Sequence, residues 1–228
     1  MKKINIIIYL FSFLFFSELF ADISNYKDFN KIEMEIFRND KYIGYNNYFF
    51  TKKKNTLEVK NQIKFSVELF DIKILDVEGF GEEKYEKGKL ISFTSKTTQN
   101  DKKKFVNLFF SKDSNEFIIK GSSYNGKANK NNVIGNWWNH ALLKTDSQIS
   151  PVSGSIKKQK VNFLGEENIL LYGKNFETKH FKLVSKDNKT SKNKKLNFDI
   201  WLDKNSKIIL KVRYSRMGEW EYRLKNIE

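Results

Sequence analysis

The 228-residue chain carries 42 Lys and Arg against 27 Asp and Glu, a net charge of +15, with 15% aromatic residues and no cysteine. This composition excludes disulfides, thiol nucleophiles and cysteine-ligated metals, and it favours acidic partners. The lysines are spread along the chain instead of gathered on one helix, which argues against nucleic acid and makes a solvated basic surface the plainest reading of the excess.

Lys2 and Lys3 precede an apolar run from Ile4 to Phe16, and Ala21 offers a small residue before Asp22. This is the pattern of a secretory signal peptide over residues 1–21, too short for the ~20 apolar residues of a spanning helix. The expected product is a periplasmic protein made of one β domain, residues 22–228. Retention of the run as an anchor is the alternative.

Ile32, Met34 and Ile36 alternate with Glu33 and Glu35, the period of a half-buried strand. Asn39-Asp40-Lys41 turns the chain into a strand over residues 42–51, where Gly44 marks a bulge or a close neighbour. Ile63, Phe65, Val67 and Leu69 share one face of the next strand. Phe70, Ile72 and Ile74 then carry the apolar character, and this change of parity predicts a bulge or sheet corner near Leu69-Phe70. Residues 79–85 stay extended, and Glu86-Lys87-Gly88-Lys89 turns them into residues 90–98. Residues 105–111 and 116–120 form another pair, and residues 121–135 read as a polar loop. Asn136-Trp137-Trp138-Asn139-His140 follows, read either as a short helix capped by Asn136 or as an extended plug. Strands resume at 155–164, 169–172, 176–185, 198–202, 207–214 and 219–224, with a basic loop over residues 186–195. The sum is an all-β chain: a curved antiparallel meander of about 12 strands forming a barrel, half-barrel or wrapped sheet, with one short helical or plug segment near 136–144.

Tyr42-Ile43-Gly44, the hairpin Tyr85-Glu86-Lys87-Gly88-Lys89-Leu90, Trp137-Trp138-Asn139, Leu164-Gly165-Glu166-Glu167 and Asp199-Ile200-Trp201-Leu202-Asp203 occur in this order. In that arrangement the chain resembles an uncharacterised family of exported bacterial all-β proteins, a domain of unknown function with a Trp-Trp-Asn motif. The resemblance spans most of residues 22–228 and implies fold and compartment, with no activity and no catalytic residues to carry over. His140 stands where the resemblance leads one to expect proline.

His140 and His180, the only two histidines, stand forty residues apart, and no Gly-x-Ser-x-Gly elbow is present. No catalytic residue, metal site or cofactor is expected, and His180 reads as a structural histidine on a strand. Trp137 and Trp138 either fill one end of a curved sheet or line an apolar cavity within it. Trp137, Trp138, Asn139, Trp201, Trp220 and Tyr222 are the candidate ligand-lining residues. Lys186, Lys189, Lys192, Lys194 and Lys195 are the candidate basic surface. The leading expectation is a periplasmic protein holding a lipid, acyl chain or similar amphiphile on the concave face of its sheet. The alternative is a non-enzymatic envelope protein with a filled core, meeting an acidic envelope component through its basic surface. The oligomeric state is left open.

Overall fold

The structure is a computed structural model describing residues 26, 28–187 and 195–228. The signal-peptide expectation for residues 1–21 therefore lies outside the described residues. Fifteen strands follow one another: β1 (Lys31–Arg38), β2 (Lys41–Lys53), β3 (Thr56–Leu69), β4 (Ile72–Glu86), β5 (Lys89–Gln99), β6 (Lys102–Ser111), β7 (Glu116–Gly121), β8 (Asn125–Asn129), β9 (Val133–Ile134), β10 (Ser147–Ile149), β11 (Ile156–Leu171), β12 (Lys174–Ser185), β13 (Asn197–Asp203), β14 (Ile209–Ser215) and β15 (Glu219–Ile227). A 3-10 turn, η1 (His140–Lys144), interrupts them.

All fifteen belong to one sheet, in the order β8-β7-β6-β5-β4-β3-β2-β1-β15-β14-β13-β12-β11-β10-β9. Apart from the parallel pair β9–β10, every neighbour is antiparallel. The first and last strands pair in the middle of the sheet, and the edges are strands from the middle of the chain. Only residues 130–132 link the edge strands β8 and β9, so the sheet curls on itself without closing. The expected curved meander is therefore present as a wrapped, unclosed sheet.

Period-2 alternation decides which side chains meet inside. Ile32, Met34 and Ile36 of β1, Tyr48 and Phe50 of β2, Leu57 and Val59 of β3, Phe93 of β5 and Val106 and Leu108 of β6 are all buried in one cluster with Leu183, Ile200 and Val212. The chain between β9 and β10 joins that cluster through Ile134, Trp138, Leu142 and Ile149. The concave side is thus filled by the chain's own central segment.

Four expectations change. Leu69-Phe70 is no sheet corner: Phe70 and Asp71, at φ 50° and 60°, form a two-residue hairpin turn between β3 and β4, and the expected bulge lies just before it, where the register shifts between Val67 and Glu68. The apolar residues that suggested a continuous strand are exposed, Phe70 at 88%. Residues 121–135 hold β8 and β9, and β10 was not anticipated, because strands as polar as Asn125–Asn129 show no alternation. Residues 156–171 form one strand, not two: the register shifts between Phe163 and Gly165, so the Gly-Glu-Glu stretch follows a bulge within β11 and makes no turn. The short helical segment is present, but Asn139 caps it, not Asn136. At Gly44 both expected features occur. The register shifts there against β1, and an added Cβ would stand 2.1 Å from the Lys64 carbonyl oxygen on β3.

Candidate functional site

The Trp-Trp segment is built from its two ends inward. Gly135 N–H donates to the Ile149 carbonyl, tying β9 to β10. Asn139 Oδ1 accepts the Ala141 N–H at 3.0 Å and starts η1. Gln159 on β11 then clips the segment to the sheet. Its amide donates to the Leu142 and Thr145 carbonyls at 2.8 and 3.0 Å and accepts from Gln148 at 2.6 Å. Ser95 on β5 donates to the Pro151 carbonyl on the other side.

Between these clips the two indoles part company. Trp138 is 1% exposed, ringed edge-on by Tyr26, Phe50 and Tyr85 at centroid distances of 5.0, 5.5 and 5.8 Å. Its Nε1–H donates to Glu83 Oε1 at 2.8 Å. The same oxygen accepts Asn136 Nδ2 at 2.6 Å, and Oε2 accepts the Tyr85 hydroxyl. Glu83 is therefore a buried carboxylate at the hub of three donors. Burial pushes its carboxyl above the ordinary 4.5, and the three donors oppose that rise without cancelling it. Burial likewise raises the Tyr85 phenol, with Glu83 adding to the rise. Trp137 is half-buried against Phe198 and Tyr222, and its backbone N–H donates to the Tyr48 hydroxyl. Burial pushes the Tyr222 phenol up to about 12.

Trp220 stands near this group through Tyr214, on which it stacks at 5.7 Å, and Tyr214 in turn meets Phe198. Trp201 does not. It sits between Ile200 and Leu202, which face the core, so the alternation turns its ring to the outer face of β13. There it stacks on His180 at 4.4 Å, its Nε1–H donates to Glu167, and Lys211 and Arg213 lie over its ring. The six candidate lining residues thus divide between the two faces, and each of the five on the inner face is covered by other side chains of the chain.

His180 has its two ring nitrogens against carboxylates, Nδ1 at 2.9 Å from Glu167 and Nε2 at 3.1 Å from Asp199. Burial pushes the Asp199 carboxyl up, but the Lys182 ammonium at 2.7 Å, together with His180, outweighs this and holds it below its ordinary range. His140 contacts the Tyr26 hydroxyl at 3.0 Å in the core. Of the basic stretch, Lys186 and Lys195 are exposed, and Lys189, Lys192 and Lys194 lie outside the described residues.

The outside of the sheet carries a feature the sequence did not suggest. A groove of about 750 Å³ crosses β2 to β6, within the roughly 300–1,000 Å³ range of small-molecule sites. None of the six candidate lining residues borders it. Cross-strand register explains its lining. One row runs Phe49, Lys60, Glu82, Thr94, Asn107, and the next runs Gln62, Phe80, Lys96, Phe105. Gly79 and Gly81 flank Phe80 on β4. At Gly79 an added Cβ would stand 2.9 Å from Ile63 on β3 and 3.2 Å from Thr97 on β5, so the missing side chain makes room for its two cross-strand neighbours on the inner face. Phe80, between these glycines, is 51% exposed within the groove.

A family model described as a domain of unknown function (DUF6134) matches residues 34–225. Among solved structures, the chain is similar to the crystal structure of a beta-barrel-like protein of another domain of unknown function, DUF1849, from Brucella abortus. The TM-score is 0.57 at 8% identity, over 87% of this chain and 95% of that one, which is a likeness of fold. No curated protein matches.

Proposed function

The chain belongs to the DUF6134 family, a domain of unknown function, and from that premise we propose that it is an exported, non-enzymatic protein that binds an apolar or amphiphilic ligand on the outside of its sheet. One observation carries this reading. The concave side is occupied by the chain's own Trp138, Leu142 and Ile149, whereas the outer face of β2 to β6 is open, concave and aromatic. Ligand binding within the curve would require the clips at Glu83 and Gln159 to open, exposing a large apolar core and several buried polar groups. Binding on the outside requires no rearrangement. The leader pattern of residues 1–21 supports export to the periplasm, and the +15 charge supports an anionic component in the ligand or its carrier.

Native mass spectrometry of the protein purified from an envelope fraction tests this. The expected spectrum holds an adduct of lipid-like mass that organic extraction removes and that envelope lipid extract restores. A bare mass before and after incubation with that extract contradicts the proposal.

A further inference from the structure

The outer groove has a chemistry more specific than apolar. Phe49, Phe80 and Phe105 come from strands β2, β4 and β6. The register sets Lys60 beside Phe49 and Lys96 between Phe80 and Phe105, so each cation adjoins an aromatic ring's row. The one carboxylate in the groove is already engaged: Glu82 accepts Lys84 at 2.9 Å, and that contact holds its carboxyl below the ordinary range. Lys60 and Lys96 make no ion pair or hydrogen bond among the described residues. The groove therefore offers three rings and two ammonium groups, Lys60 standing across from Glu82 and Lys96 between two phenylalanines, with Gln62 and Asn107 as amide neighbours.

We propose that this groove binds a single-chain amphiphile with an anionic head, its acyl chain lying along Phe49, Phe80 and Phe105 and its head group meeting Lys60 and Lys96. Apolar area along the rings supplies the affinity, which grows with each methylene taken out of water. The two lysines supply the discrimination between an anionic head and a neutral or cationic one of equal chain length. The inference rests on the proposed function and gives it a place and a ligand class.

The test is a fluorescence titration of the purified protein with dansyl-undecanoate, displaced by dodecanoate, dodecanol or dodecyltrimethylammonium. Dodecanoate is expected to compete at least tenfold better than the other two. Phe80→Glu is expected to weaken dansyl-undecanoate at least tenfold. Its side chain points outward, and a second variant, Phe105→Glu on the adjacent strand, repeats the test. Lys60→Glu combined with Lys96→Glu is expected to remove the preference for dodecanoate over dodecanol. Unchanged binding in both phenylalanine variants, or equal competition by dodecanol, overturns the proposal. So does co-sedimentation with phosphatidylglycerol vesicles that dodecanoate fails to displace, since that places the contact on a bilayer. An envelope-derived adduct retained by Phe80→Glu in native mass spectrometry overturns the groove alone. Absence of any adduct on the unaltered protein overturns the reading beneath it.

Discussion

Replacing Trp138 with alanine is expected to destabilise the fold by about 3–5 kcal/mol, the usual cost of deleting a large buried aromatic side chain. Trp138 is 1% exposed and sits where Tyr26 and strands β2 and β4 meet the central segment, so its loss opens a cavity that three separate elements would have to fill. In a chain of this size each kcal/mol lowers Tm by roughly 2–4 °C, so a fall of about 10 °C is expected. Trp137→Ala should cost less, because that indole is half-buried. Equal and small effects for the two would mean that the segment is not packed as described. Thermal unfolding followed by circular dichroism measures both.

The second large effect concerns Glu83. Glu83→Ala leaves Trp138 Nε1–H, Asn136 Nδ2 and the Tyr85 hydroxyl facing an apolar gap. Buried groups orphaned in this way cost about 1–3 kcal/mol each, so a loss of about 3 kcal/mol or more is expected. Glu83→Gln keeps an acceptor oxygen for Trp138 and Asn136 and removes the charge. The sign of the pH dependence follows from burial, which raises this carboxyl in the folded state above its ordinary 4.5. The folded chain holds that proton more tightly than the unfolded chain does. The stability this contributes is complete below 4.5 and is lost as pH rises through the raised folded value. The unaltered protein should therefore lose stability relative to Glu83→Gln as pH rises from 4 towards neutrality, read from urea midpoints of the two proteins. Midpoints that run parallel across that range would contradict the assignment.

Much of this architecture is written in local pattern. The alternation of Ile32, Met34 and Ile36 places β1 correctly, and the short polar turns mark most hairpins, because a half-buried strand needs nothing beyond period 2 to declare itself. The pattern misleads where apolar residues are not buried. Leu69, Phe70 and Ile72 are exposed at a hairpin tip, so their parity reports a turn with a bulge beside it and not a sheet corner. It is silent where pairing alone makes the strand, as in Asn125–Asn129, whose register against β7 no composition reveals.

The site was less legible than the fold. Glu83 carries no motif that singles it out, yet Val77, Gly79, Gly81, Glu83 and Tyr85 share one parity, and that phase is enough to turn Glu83 inward. Trp201 could have been separated from the other aromatics by the same argument, since Ile200 and Leu202 flank it. The outer groove had no sequence signature. Its walls are one to three residues from each of five strands, brought together by registers that depend on the turn lengths and bulges between β2 and β6.

The central claim is that the curve of the sheet is filled and that binding takes place outside it. Photolabelling with a diazirine-bearing fatty acid, followed by peptide mapping, tests this most directly. The account predicts label on peptides containing Phe80 and Phe105, lost on competition with dodecanoate. Label concentrated on peptides containing Trp137, Trp138 or Trp220 would place the ligand in the interior and contradict it.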